Sequence, residues 1–122
     1  MPPLRVSAAR TFFGDRDAWN PETLLLSALA QCHLLSFLRQ AAIAGHEVLD
    51  ATVEVTGTLG VSPDGSGAFT GAGLTPSSTF AGEVDDAGLA ALHAAAHQQC
   101  FIANSLNFPV TVAPDTRGAL RP

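Results

Sequence analysis

The stretch from Asn20 to Gly45 constrains this chain more than any other, because it opens on a helix start signal, closes on a glycine and is apolar almost throughout. Asn20 is a good N-cap. Pro21 fits the first helical position, where its missing N–H costs nothing, and Glu22 complements the positive end of the helix dipole. Gly45 supplies the stop. The pattern predicts a helix from Pro21 to about Ala44, roughly 36 Å long at 1.5 Å per residue. Leu24, Leu25, Leu26, Leu29, Leu34, Leu35, Phe37, Leu38 and Ile43 occupy nearly every face of it. Such a helix is expected to be buried all round, at the centre of the core.

A chain of 122 residues is expected to form one domain, residues 1–122. Its composition is 47% hydrophobic and only 14% charged, which is apolar for this size and points to surface covered by a second subunit. All six basic residues are arginine, namely Arg5, Arg10, Arg16, Arg39, Arg117 and Arg121, and the net charge is −5. That leaves no basic stripe for phosphate backbones, so nucleic acid is not an expected partner. Gln31, His33, Ser36 and Arg39 interrupt the long apolar run, which is therefore not read as a membrane span. Met1-Pro2-Pro3 runs directly into strand-like sequence with no signal-peptide pattern. The expectation is a cytoplasmic protein, in a compartment that keeps thiols reduced.

The remaining elements follow from local pattern. Leu4 to Phe13 reads as a short strand closed by Gly14-Asp15. Thr52, Glu54, Thr56 and Thr58 alternate with Val53, Val55, Gly57 and Leu59, a period-two strand with one wet face. Turn-formers fill Val61 to Gly67, and Ala68 to Phe80 reads as the returning strand, made irregular by Gly71, Gly73 and Pro76. Asp85 can cap a second, alanine-rich helix with its interior at Leu89–Gln99. A short helix over Phe101–Leu106 and a last strand over Phe108–Val112 follow, with Pro109 placing that strand at an edge or at its own start. The tail from Pro114 to Pro122 is expected to be loose.

Two cysteines carry the chemistry. Cys32 lies within the long apolar helix and Cys100 follows the second helix, so the pair reads either as a redox couple or as two buried small hydrophobes. A cysteine attacks only as thiolate, and an attacking thiol needs a nearby cation or helix end. Arg39 is about 10 Å from Cys32 along the helix, too far to act directly unless its side chain folds back. Arg5, Arg10 and Arg16 are the other candidates, and Glu22 either orients whichever arginine approaches or simply complements the dipole. His93 and His97 are spaced i, i+4 with Cys100 three residues further on, a weak zinc-binding pattern that lacks a fourth ligand. The competing reading is a histidine pair on a subunit interface or polar helix face. His33 points about 100° around the helix from Cys32 and is a poor base for that thiol. His46 is placed to meet the last carbonyls of the helix.

The string Asn20-Pro21-Glu22 with Leu24-Leu25 and then Cys32-His33, a helix ended by Gly45, a threonine-rich hairpin, Ala96-His97 before Cys100, Ala103-Asn104-Ser105-Leu106 and a Pro-Val-Thr-Val strand resembles the OsmC/Ohr family of osmotically inducible and organic hydroperoxide resistance proteins. The resemblance covers about residues 4 to 114. It implies an α+β fold of two long central helices wrapped by antiparallel sheets, with two chains intertwined as a homodimer. By resemblance Cys32 is the peroxidatic thiol and Cys100 the resolving thiol, with the disulfide they form reduced by a dithiol such as a lipoyl group. Glu22 matches the carboxylate that pairs with an activating arginine. The chain departs from the family where that arginine lies, in an N-terminal hairpin that is shortened here. Either the start is truncated, or Arg5, Arg10 or Arg16 substitutes, or the activity is lost.

The expected function is therefore a thiol-dependent peroxidase that reduces organic hydroperoxides, in oxidative-stress defence, with no cofactor, no metal, no nucleic acid and no membrane partner. The alternative is a catalytically weak protein of the same fold that binds a small hydrophobic ligand. A metal-binding module built on His93, His97 and Cys100 is the third reading. The peroxidase reading further expects Cys32 beside a pocket built from both chains of an obligate dimer.

Overall fold

The computed structural model describes residues 1–119 of the chain. Helix α1 runs from Pro21 to Ile43 with Ala44 as its C-cap. Its start is a reciprocal capping box: the Asn20 side chain accepts from Thr23 N–H at 2.9 Å, and Thr23 Oγ1 faces the Asn20 N–H. Gly45 follows with φ of 81°, the left-handed conformation that lets the chain leave the helix.

A hairpin comes next, formed by β1 (Val48–Val61) and β2 (Gly67–Phe80). Its turn is held by Asp64, whose Oδ1 accepts from both the backbone N–H and the hydroxyl of Ser66, with Gly65 at φ of 89°. The pairing is antiparallel from Val48–Phe80 to Val61–Gly67, with register shifts between Val48 and Asp50 and between Thr58 and Leu59. The returning strand is thus longer and more continuous than its glycines and Pro76 predict. Pro76 pairs with Val53, and its carbonyl accepts from Thr116 N–H, on the side away from β1. The donor that proline lacks faces that same side, so the β1–β2 ladder loses nothing.

Helix α2 spans Asp86–Gln98, with the Asp85 side chain accepting from Gly88 N–H at 2.7 Å. It has 13 residues against 23 in α1, so the helices are one long and one of moderate length. The expected short helix is a single 3-10 turn, Ala103–Ser105. Strand β3 (Val110–Val112) then pairs with β2 in parallel, in the order β1-β2-β3. The expected antiparallel pairing holds for β1 with β2, and β3 adds a parallel strand beside them. Helix α2 carries the chain back along the sheet between β2 and β3, and a crossover of that kind makes its two strands parallel.

Two apolar clusters lie along α1. One joins Leu29 and Ala30 to Ala72, Leu74 and Cys100, and the other joins Phe37 and Ala41 to Leu89, Leu92 and Ala96 of α2. The buried residues of α1 are Leu29, Ala30, His33, Phe37 and Ala41, a stripe on one face. Burial on every face is therefore not met within one chain: Leu35 and Ile43 are 61% and 68% exposed. Burial of one stripe is what a single sheet and a single neighbouring helix can provide.

The ends differ most from expectation. Leu4–Phe13 forms no strand: Val6 makes one isolated parallel bridge to Trp19, and Arg10–Phe12 is a 3-10 turn that ends with Phe13 at φ of 64°. Hydrogen bonds from Ser7 N–H to the Trp19 carbonyl and from Trp19 N–H to the Arg5 carbonyl close the segment on itself as a loop. It has no other strand to pair with among the described residues. At the other end the tail is tied down through Gly118, whereas Leu120, Arg121 and Pro122 lie outside the described residues.

Candidate active site

Helix α1 carries Cys32 into the first cluster, where the thiol is half-buried and packs against residues that include Cys100. Cys100 is placed by the end of α2. Its N–H bonds to the His97 carbonyl, and its own carbonyl accepts from Asn104 N–H, so the chain turns tightly and points the sulfur inward, where the residue is fully buried. Both thiols are free, and that of Cys32 lies within hydrogen-bonding reach of Cys100. Two residues far apart in sequence are thus neighbours in the core.

The surroundings of Cys100 act in opposite directions. Burial pushes its thiol up from the ordinary value, the Ala103 N–H opposes that by stabilising a thiolate, and the Cys32 thiol adds to the rise, with the Ile102 N–H giving a smaller opposing contribution. The net effect keeps Cys100 protonated. A fully buried, protonated thiol thus lies beside a half-buried one.

Glu22 stands elsewhere. It is ten residues from Cys32 on the same helix, hence about 15 Å away along the axis. It lines a cavity of about 360 Å³ with Phe12, Leu25, Leu59 and Phe69, and its Oε2 is buried with no hydrogen-bond partner. No arginine meets it among the described residues. Arg5 pairs with Asp15 and Arg117 with Asp86, and Arg10, Arg16 and Arg39 are exposed. One chain therefore brings Cys32 and Cys100 together and leaves Glu22 and the candidate arginines apart from them.

The histidines form a network that sequence reasoning missed. His93 Nε2 lies 2.8 Å from Asp115 Oδ2, and His93 Nδ1 lies 3.0 Å from His33 Nε2. Asp115 also accepts from the N–H and hydroxyl of Ser78 and from Arg117 N–H, so a residue from the supposedly loose tail is the centre of a buried knot. A carboxylate only accepts, so His93 donates from Nε2, takes a hydrogen bond at Nδ1, and His33 donates from its Nε2. The phenyl ring of Phe37 stacks on His93 at 4.2 Å. These contacts occupy both ring nitrogens of His93, which leaves neither of them open to a metal. His46 behaves as expected, its N–H meeting the Ala41 carbonyl at 2.9 Å. A carboxylate in a nine-residue tail rich in Pro and Gly carries no periodic signal, which is why Asp115 was not legible.

The α+β topology sets two free thiols, Cys32 and Cys100, side by side in its core. The chain belongs to the OsmC-like protein family, whose model matches residues 14–115. Among solved structures it is similar to an OsmC-like protein of unknown function from Vibrio cholerae, at 30% identity and TM-score 0.82, covering 90% of this chain and 75% of that one. The fold is shared with an organic hydroperoxide resistance protein from Legionella pneumophila, at 21% identity and TM-score 0.74, over 93% of this chain and 82% of that one. It is shared also with the organic hydroperoxide resistance protein OhrB of Bacillus subtilis, at 23% identity and TM-score 0.65, over 78% and 69%. No curated protein matches the chain. No helix among the described residues is long and apolar enough to cross a membrane.

Proposed function

We propose that the protein is a thiol-dependent peroxidase that reduces organic hydroperoxides through Cys32 and Cys100, acting as a homodimer in the cytoplasm. The observation that carries this reading is the contact between a half-buried Cys32 and a fully buried Cys100, both free thiols. The Cys32 thiolate attacks the outer oxygen of the hydroperoxide, the O–O bond breaks, and the alkoxide leaves with a proton as an alcohol. Cys32 is then a sulfenic acid. Cys100 attacks its sulfur, the S–S bond forms, and hydroxide leaves with the Cys100 proton as water. A dithiol reductant of lipoyl type returns both cysteines to thiols and is itself oxidised to a disulfide.

Glu22 enters this proposal through the second chain. Its buried, unpartnered oxygen calls for a cation, and about 15 Å of helix separates it from the Cys32 of its own chain. A second copy packed against the exposed side of α1 would cover Leu35 and Ile43 and can bring an arginine and a carboxylate to the thiol. Consumption of cumene hydroperoxide with a dithiol reductant tests the reading. Wild type should turn over, Cys32→Ser should not, and wild type no faster than Cys32→Ser would remove the enzyme.

One observation favours the second reading, a weakly catalytic binder of a small hydrophobic ligand: among the described residues no arginine pairs with Glu22 or lies at the thiol couple. Saturable binding of an apolar ligand by a protein with no turnover would select it.

A further inference from the structure

The buried stripe of α1 is not apolar throughout. Leu29 and Ala30 belong to the first cluster, Phe37 and Ala41 to the second, and His33 stands between them with no exposed surface. From Nε2 it donates to His93 Nδ1, and His93 in turn donates to Asp115, which Ser78 and the Arg117 N–H hold in place. Three residues further along α1, the Ser36 hydroxyl donates to the Ala96 carbonyl at 2.8 Å. Two directional bonds thus tie α1 to α2 within a single turn of each helix.

This polar layer adjoins the thiols on both helices. His33 follows Cys32 directly on α1, and the Cys100 N–H is held by the carbonyl of His97, one turn beyond His93. A change in how the helices meet at the histidines therefore moves one sulfur relative to the other. Apolar contacts are non-directional, whereas a buried hydrogen-bonded layer singles out one register, because any other leaves polar atoms unpaired. A disulfide in turn accepts only a narrow geometry, with Cα atoms about 4.4–6.8 Å apart. Stability by itself does not account for the layer: His33 Nδ1 is buried without a partner, a cost that an apolar side chain of similar size would not carry.

We propose that His33 is a positioning residue for the cysteine couple: through His93 and Asp115, and with Ser36 beside it, it fixes the register of α1 on α2 and so holds Cys32 and Cys100 at bonding separation. The inference rests on the reading of the two thiols as a couple, and it assigns His33 no contact with substrate. It concerns the closing of the disulfide and not the attack by Cys32, so the two steps should respond differently to the loss of the imidazole.

The test brings the full chain to equilibrium with reduced and oxidised glutathione at neutral pH, quenches it with acid and reads the Cys32–Cys100 disulfide against the dithiol by mass. As that bond forms, glutathione disulfide is reduced to two thiols. His33→Leu, which fills the site without a donor, should lower the equilibrium constant about tenfold, since a misplacement of about 1 Å can cost reacting groups up to about 100-fold. His33→Gln, whose amide N–H reaches the place of Nε2, should stay within about twofold of wild type. Alkylation of Cys32 in a Cys100→Ser background should proceed equally fast with and without His33→Leu. Should His33→Leu fail to fold, Ser36→Ala carries the test, with an expected loss of about threefold. The proposal is overturned if wild type forms no Cys32–Cys100 disulfide, if the folded variant without the donor matches wild type, if His33→Gln loses as much as His33→Leu, or if the single-thiol alkylation falls by the same factor as the disulfide. A protein that closes the disulfide in glutathione but turns over no hydroperoxide would lose the peroxidase reading and keep the positioning role.

Discussion

His33 and His93 lie edge to edge in the core, with Nε2 of one 3.0 Å from Nδ1 of the other and their rings within 8° of parallel. The pair joins α1 to α2, and Asp115 secures its far end from the C-terminal segment. Both histidines are buried, and burial disfavours charge on either imidazole.

That condition predicts acid sensitivity. Burial, then the neighbouring His93 and His97, holds His33 down from 6.5 to about 4, and burial lowers His93 although Asp115 opposes it. The unfolded imidazole takes up a proton near pH 6.5 and folded His33 does not until about pH 4. The stabilisation is complete above 6.5 and is lost as pH falls across that window, by roughly 3 kcal/mol for His33. Urea unfolding at a series of pH values between 7 and 4 should show that decline. A flat profile would exclude neutral buried imidazoles.

Asp115 should matter more than any exposed charge. Burial would raise its carboxyl, but the Ser78 hydroxyl, His93 and the Arg117 and Ser78 N–H groups together hold it below its usual value. Replacing it with alanine strands those donors and is expected to cost about 3 kcal/mol or more. Arg117→Ala breaks only an exposed pair with Asp86 and one hydrogen bond to the Val84 carbonyl, and should cost about 1 kcal/mol or less. Equal losses in the two variants, read from urea midpoints, would contradict the buried knot.

The thiols should differ in access. A neutral alkylating reagent is expected to modify half-buried Cys32 well before fully buried Cys100, which burial also keeps protonated. Under stoichiometric hydroperoxide, peptide mapping should find a Cys32–Cys100 disulfide within one chain. Predominant intermolecular crosslinks would count against Cys100 as the resolving thiol.

The start of α1 offers a local test. Asn20→Ala removes the side chain that accepts from Thr23 N–H and should lower stability by about 1 kcal/mol. Asn20→Ser, which can still cap, should recover most of the loss in thermal melts. A loss from both variants alike would assign Asn20 some role other than capping.

What could be read from the amino acids alone was whatever a few neighbouring residues decide. Asn20-Pro21 and Gly45 bound α1, Asp85 caps α2, and alternation from Thr52 to Leu59 marks β1, because capping, φ restriction and side-chain periodicity act within a turn or two. The cysteine pair and Glu22 were legible as residues and spacing, through resemblance to a family. Helix rise alone already puts Glu22 and Cys32 about 15 Å apart, whereas the meeting of Cys32 with Cys100 was left to the packing of distant segments. Only the tertiary structure decided the parallel pairing of β3, the loop at Leu4–Phe13 and the contact of Asp115 with His93 and His33. Each depends on which surfaces α1, α2 and the sheet bring together across distant stretches of chain. A hydrogen bond between residues 33 and 93 leaves no local trace, since neither residue's neighbours change its propensity toward making it.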